Sequence, residues 1–374
     1  MEKKPVIAIL ANFPLHVANS AFPQVGWHMA TWLSAAYEML KEQDKYEIHW
    51  LVFSKQVRWR KVFESSGQFF HVMPEFSLNY AQKTHYLHSR WLVKRELNRL
   101  KPDLLHAWGT EHRNAICGMG FRGKKILSVQ GNLTACVKRT CMKPFVERQA
   151  IFERKAMPSY DLLTGESPWS LDRIRDIVPD KPLVKLEYCV ESRFYKSERN
   201  PEASPVCLLA GDGSEIKNVK TALAAFSSPE LRHIKLLMAG VPKNMYADLP
   251  PNIEALGGKN RDEMVELISR AWCLVHPSLA ETGPTVAKEA RVMGMPVIIS
   301  SETGSKQYVE HGKSGFVFAP TDVEALKQHV LAVCADRETA IAMGEYGRED
   351  CRRALSRETM MAGLVAIYDQ LLAE

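Results

Sequence analysis

Short apolar runs alternate with longer amphipathic stretches along the whole chain, and they do so in two consecutive sets. The apolar runs at 6–11, 48–53, 104–107, 126–129, 162–164 and 183–186 form the first set. Those at 206–210, 234–239, 253–256, 273–275, 297–300 and 316–318 form the second. Between them lie helical patterns at 27–41, 91–100, 219–226, 261–271 and 323–335. A strand that is apolar throughout is covered on both faces, and the helices between such strands supply the cover. The pattern therefore predicts an α/β protein with two doubly wound parallel sheets. Ligands of such sheets bind beyond the carboxyl ends of the strands.

The length of 374 residues suits two domains of ordinary size, each with a substantial core. Hydrophobic and charged fractions of 46% and 25% are those of a soluble globular protein. No apolar run reaches the ~18 residues that would span a membrane. The opening MEKKPVIAILANF has a basic tip and six apolar residues, fewer than the ~7–15 of a secretory signal, and reads as a first buried strand. Eight cysteines are scattered with no C-x-x-C pair. That spacing argues against a structural zinc site or a disulfide framework and predicts a reducing, cytoplasmic setting.

The net charge of +6 is unevenly distributed. Residues 1–190 hold 28 Lys and Arg against 18 Asp and Glu, whereas the remainder holds 21 against 25. An electropositive first half points to an anionic partner, and the membrane surface is one candidate. Residues 55–63, KQVRWRKVF, interleave cations with aromatics, and 138–155 carry Lys138, Arg139, Lys143, Arg148, Arg154 and Lys155. Such mixtures suit peripheral contact with anionic lipid as well as an ordinary solvated face. No nucleic-acid recognition motif accompanies the charge.

The richest stretch is HPSLAETGPTVAKEARVMGMPVIIS. Its Gly283 and Pro284 punctuate a loop, and a helix is expected from about Thr285. Glu281 then lies in the loop, and Glu289, eight positions on, lies two turns into the helix, ~80° away around its axis. A helix N-terminus at Thr285 and Val286 offers free N–H groups and partial positive charge, which suit a phosphate. A carboxylate such as Glu289 accepts hydrogen bonds from vicinal hydroxyls, those of a ribose among them. Upstream, LLAGDGSEIKNVKTALAAF reads as strand, glycine turn and helix, with Gly211 in the turn and Lys217 and Asn218 at the helix start. Backbone amides of such a turn surround an anion and Lys217 neutralises it. The G-x-G does not extend to G-x-G-x-x-G, which counts against a dinucleotide site.

These stretches resemble the retaining glycosyltransferases of family 4. PSLAETGPTVAKEARVMGMPVI is similar to the family's E-x7-E segment, with both glutamates, Pro284, Val286, Gly294, Pro296 and Val297 in register. AGDGSEIKN is similar to the family's G-R-L-x-x-E-K-G/N segment, in which an Arg and a Lys hold the donor diphosphate. Gly211 and Lys217 match, but Asp212 stands at the Arg position. An anion there must point away, bind something else, or signal an altered activity. ETGSKQYVEHGKSGFVF matches a further family segment and places Gly304 near the sugar. In the first half the resemblance is mainly order and spacing. KPDLLHAWGTEH supplies His106, with Trp108 where a second His is usual and Glu111 or His112 as substitutes. Gln130 and Gly131 end another strand on the possible acceptor side, and Gly26 is the one glycine of the first loop.

The resemblance implies the GT-B architecture, two Rossmann-like domains with a cleft between them. The expected division is 1–195 on the acceptor side, 196–356 on the donor side, and a terminal helix, 357–374, returning to the first domain. The implied activity is transfer of a sugar, with retention, from a nucleotide-sugar donor to a glycan, lipid-linked or small-molecule acceptor, as in cell-envelope polysaccharide biosynthesis. Neither cofactor nor metal is implied, and no D-x-D is present. The implied catalytic groups are Glu281, Lys217 and His106. The implied donor contacts are Gly211, Asn218, Gly283, Pro284, Thr285, Val286, Glu289, Gly304 and Gly26. Two alternatives share the architecture: a degenerate protein that only binds a sugar nucleotide, and a sugar-nucleotide epimerase.

Overall fold

A computed structural model describes residues 3–23 and 31–373. The chain divides into two units. Unit 1 comprises Met1–Lys138, Met142–Cys189 and Arg357–Glu374, and unit 2 comprises Arg139–Cys141 and Val190–Ser356.

Unit 1 is built on an eight-stranded sheet in the order β3-β4-β2-β1-β5-β6-β7-β8. Its strands are β1 (Val6–Leu10), β2 (Glu47–Ser54), β3 (Lys61–Ser65), β4 (Gln68–Pro74), β5 (Leu104–Trp108), β6 (Lys124–Val129), β7 (Leu162–Gly165) and β8 (Leu183–Lys185). Every pairing is parallel except β3 with β4. The central strands β1 and β5 are buried at every position, as their unbroken apolar sequence requires. β3 differs. Its side chains are exposed or half-buried, and Lys61 and Glu64 lie on it, so it forms a polar antiparallel margin. The 55–63 segment, expected as an interfacial patch, is thus partly a strand of the sheet. Trp59 remains 84% exposed, while Arg60 is drawn into an ion pair with buried Glu96.

Helix Arg357–Ala373 belongs to unit 1. It buries Met360, Leu364, Ile367, Tyr368 and Leu371, spaced along one face, against the core that also holds Ile7, Ile9, Trp50 and Trp108. Tyr46 fixes it further by donating to Asp369 Oδ1 at 2.6 Å. Among the described residues, no helix is long and apolar enough to cross a membrane.

Unit 2 holds a fully parallel six-stranded sheet, β11-β10-β9-β12-β13-β14. The strands are β9 (Val206–Ala210), β10 (Lys235–Ala239), β11 (Ile253–Gly257), β12 (Cys273–His276), β13 (Val297–Ser300) and β14 (Gly315–Phe318). The chain runs outward from β9 through β10 to β11, then returns to the other side of β9 to continue through β12, β13 and β14. The direction of winding reverses between β9 and β12. Loops that leave adjacent strands on opposite faces open a crevice at such a switch point.

Candidate active site

Three loops of unit 2 converge beyond the carboxyl ends of β9, β12 and β13. After β9 the chain turns through Gly211 to the short helical turn Glu215–Lys217 and into helix Val219–Phe226. The Lys217 stem lies against Gly211, where an added Cβ would sit 3.1 Å from its Cγ. The glycine thus makes room for the lysine. Asn218 has φ 51 and ψ 41, the left-handed region that asparagine tolerates. Its Nδ2 donates to Pro277 O at 3.0 Å and to Pro320 O at 2.6 Å, tying the loops after β9, β12 and β14 together. Asn218, expected among the donor contacts, therefore spends its amide on the scaffold.

The loop after β12 carries Glu281, whose Oε1 accepts from Lys217 Nζ at 2.5 Å. His276 Nε2 faces Glu281 Oε2 at 2.9 Å and Ser278 Oγ at 3.1 Å. His276 lies inside the quoted motif but drew no expectation; its separation of five residues from Glu281 was the available signal. Burial opposes ionisation of Glu281, yet the Lys217 ammonium and the His276 ring outweigh it and hold the carboxyl well below the usual range. The backbone is equally fixed. Glu281 N–H donates to Glu302 O at 3.2 Å, and Gly304 N–H donates to Glu281 O at 2.8 Å. Gly304, expected near a sugar, is thus the residue that pins Glu281 from behind.

Asp212 has its own explanation. Its Oδ1 accepts from Ser214 N at 3.1 Å and Ser214 Oγ at 2.6 Å, closing a local turn. Burial pushes its carboxyl up, but these bonds and nearby Lys217 more than offset that and lower it.

Helix Thr285–Val292 follows Gly283 and Pro284. Pro284 occupies the capping position with φ −56 and ψ 114, so no side chain caps the first turn and no acidic residue neutralises it. The amide groups at Thr285 and Val286 keep the partial positive charge of a helix start. Two turns in, Glu289 is 1% exposed and ion-paired with Arg261 Nη2. Arg261 also donates from Nε to Glu191 at 2.8 Å and lies over the Phe194 ring. Burial raises the Glu289 carboxyl, and Arg261 only partly restores it. Neither Arg261 nor Glu191 was singled out in the sequence, because both lie far along the chain from Glu289.

Unit 1 distributes its expected residues differently. His106 is 1% exposed, with Nδ1 2.8 Å from Tyr368 Oη and Nε2 2.7 Å from Ser128 Oγ. Its ring stacks on Trp108 at a 4.5 Å centroid distance. Burial lowers its pKa to about 3, so it stays neutral. The expected catalytic role is corrected to that of a core histidine. Trp108 is equally buried and donates to Tyr188 Oη at 2.9 Å, which removes it from the acceptor side. Glu111 remains at the strand ends. A Cβ at Gly109 or at Gly131 would lie 2.7 Å from one of its carboxylate oxygens, and Gly109, at φ 93, also has a backbone that favours glycine. Gln130 lies beside it, with Oε1 3.0 Å from that same Gly109 position. Burial raises the Glu111 carboxyl to about 7, and nearby Glu153 adds to the rise. Gly26 lies outside the described residues.

Residues 191–350 match the family model described as glycosyl transferases group 1. The D-inositol 3-phosphate glycosyltransferase of Corynebacterium urealyticum is 28% identical over 151 residues, covering 37% of this chain and 35% of that protein. The N-acetyl-alpha-D-glucosaminyl L-malate synthase of Bacillus anthracis is 21% identical over 235 residues, covering 57% and 61%. The chain thus spans less than two thirds of the length of these curated relatives. Among solved structures, sucrose-phosphate synthase from Thermosynechococcus elongatus superposes with a TM-score of 0.78 at 17% identity, over 99% of this chain and 100% of that one. An alpha,alpha-trehalose-phosphate synthase (UDP-forming) from Burkholderia xenovorans gives 0.67 at 14% identity, over 99% and 100%. The chain therefore has the GT-B fold, two parallel-sheet α/β units, and its residues 191–350 match the group 1 glycosyl transferase family.

Proposed function

We propose that this chain is a metal-independent, retaining glycosyltransferase of family 4, taking a sugar from a nucleotide-sugar donor to a glycan, lipid-linked or small-molecule acceptor. The observation that carries the reading is the Lys217–Glu281 ion pair at the switch point of the unit 2 sheet, inside the segment that matches the family. Charge builds on the diphosphate as the glycosidic bond breaks. Lys217 and the uncapped helix start at Thr285 and Val286 are the groups suited to receive it. In the free protein Glu281 serves as the counterion of Lys217. When a diphosphate takes over that cation, Glu281 is released toward the hydroxyls of the donor sugar. Glu289 clasps the ribose. Gly283 and Pro284 bring the helix start to the phosphates.

Asp212 motivates a second reading, a protein that binds the donor without transfer. Its commitment to Ser214 weighs against that, because the carboxylate is already held within its own turn. An epimerase would consume donor without acceptor and release an isomeric nucleotide sugar. On the acceptor side we assign Glu111, Gln130 and Gly131. The exposed aromatics Trp59, Phe76, Tyr80 and Trp91, with the positive charge of residues 1–190, favour peripheral contact with the inner face of a membrane. A cell-envelope acceptor and a cytoplasmic setting go with this reading.

The deciding experiment is thermal unfolding with UDP-, GDP-, ADP- and TDP-sugars, on the wild type and on Glu289→Ala. A native-state ligand at ~100-fold its Kd adds about 2.7 kcal/mol. One nucleotide class should stabilise the wild type and lose its effect in the variant. Stabilisation by none of them would overturn the donor assignment.

A further inference from the structure

We propose that Cys207, Cys273 and Cys334 form a three-sulfur binding site for a thiophilic ion, with As(III) the best-matched occupant. The sequence separates them by 66 and 61 positions, so no spacing motif announces them. The fold unites them. Cys207 on β9 and Cys273 on β12 are register partners on adjacent parallel strands, and Cys334 ends helix Val323–Val333 above them. Their Sγ atoms lie 3.4 Å apart for Cys207 and Cys273 and 3.7 Å apart for Cys207 and Cys334. All three sulfurs fall within 4.8 Å of one another. Bonds of about 2.3 Å, a zinc–sulfur length, put sulfurs about 3.8 Å apart at the tetrahedral angle and closer at the narrower angles of a three-coordinate, pyramidal As(III), so little movement is needed.

Two further observations select the occupant. Among the described residues, no His, Asp or Glu joins the cluster, and Leu209, Val275, Ile298, Val330 and Val333 share its core, with Arg199 acting electrostatically on Cys273 and His233 on Cys334. That excludes hard cations and denies Zn(II) its usual fourth ligand. Charge is the second. Three thiolates on a divalent ion leave a net negative charge in a buried site, which Arg199 beside Cys273 offsets only in part, whereas three on a trivalent ion leave none. Arsenite, As(OH)3, meets both conditions. Three As–O bonds break and three As–S bonds form. Each thiol proton leaves with a hydroxide as water, and arsenic stays trivalent. Cys334, 8% exposed, gives the way in. The inference is independent of the glycosyltransferase reading.

The test is intact mass under native conditions after incubation with arsenite alone. The wild type is expected to gain one arsenic with the loss of three protons. Cys334→Ala is expected to lose that three-proton adduct, and Cys207→Ala and Cys273→Ala to lose it as well. Should either strand variant fail to fold, Cys334→Ala at the helix end still decides, once its circular dichroism matches the wild type. No adduct would overturn the site. So would an adduct formed with the loss of only two protons, or one that persists when all three cysteines are replaced. A starting protein two protons light from a Cys207–Cys273 disulfide would overturn it too.

Discussion

The two sheets wind alike and finish unlike. Each reverses direction next to its first strand, at β1/β5 in unit 1 and at β9/β12 in unit 2. In unit 2 the residues beyond that point are charged and balanced against one another: Lys217 with Glu281, and Arg261 with Glu289. In unit 1 the residues in the corresponding stretch turn inward: His106 is neutral and Trp108 is sealed against Tyr188. Glu111 stays at the strand ends beside Gln130, and its carboxyl is raised to about 7. Topology supplies a crevice twice. What each crevice can do depends on whether its side chains carry charge outward or hydrogen bonds inward.

The sharpest way to break this contrast is Lys217→Ala. With a preorganised cation removed from the leaving diphosphate, turnover should fall by about 10²–10³. Unchanged kcat on the identified donor would remove unit 2 from the chemistry. Next is Glu289→Ala, which leaves Arg261 without its buried partner and should cost about 2–3 kcal/mol, less than a fully buried pair because Arg261 is partly exposed. Arg261→Ala should lower Tm comparably. If donor affinity falls only in the Glu289 variant, that carboxylate is a ligand as well as a brace.

On the unit 1 side the effects are smaller and take the form of stability. His106→Phe strips a partner from Tyr368 and Ser128 and should cost about 1–2 kcal/mol, with turnover per folded molecule unchanged. The folded His106 pKa of about 3 lies below its ordinary 6.5. The unfolded chain therefore takes up the proton first. The stability due to this group is complete above pH 6.5 and drains away as pH falls toward 3, at up to about 1.4 kcal/mol per pH unit. Denaturant titrations from pH 7 to 4 should show a shallower acid loss in the variant. Glu111 has the opposite sign. Its folded value of about 7 exceeds the ordinary 4.5, so its contribution is full below 4.5 and is lost as pH rises through 7. Glu111→Gln should flatten that decline and leave the variant modestly more stable than the wild type at pH 8. An equally steep decline in both would show that Glu111 is not the titrating group.

Much of the fold was legible because buried parallel strands are apolar without interruption. The runs at 206–210 and 297–300 coincide with β9 and β13, and the helix at 219–226 is found at those limits. β3 escaped because a strand lying at a polar margin has no apolar run to betray it. β4 escaped as well, although it is largely buried, because His71 interrupts its apolar run. At the site, Lys217 and Glu281 were readable from the resemblance of their segments to the family, and the structure joins them. Arg261 and Glu191 were not, since partnership across a crevice leaves no periodic trace; His276 was not either, although it stands five residues from Glu281. His106 and Trp108 misled for a related reason: their partners Tyr368 and Tyr188 are 262 and 80 positions away. The three cysteines are the extreme case, distant in sequence and adjacent in space.

The polar strand β3 has a consequence for how the chain behaves in company. An open edge of a parallel sheet presents a row of unused amides and carbonyls to any extended segment that drifts past. Here that row is occupied by a short antiparallel strand bearing Lys61 and Glu64, and β8 at the opposite margin is only three residues long and ends at Lys185. A second molecule meets charge and brevity where it would need length and apolar contact. The sheet of unit 1 is thus guarded against growing from one copy into the next, during synthesis and at high concentration alike.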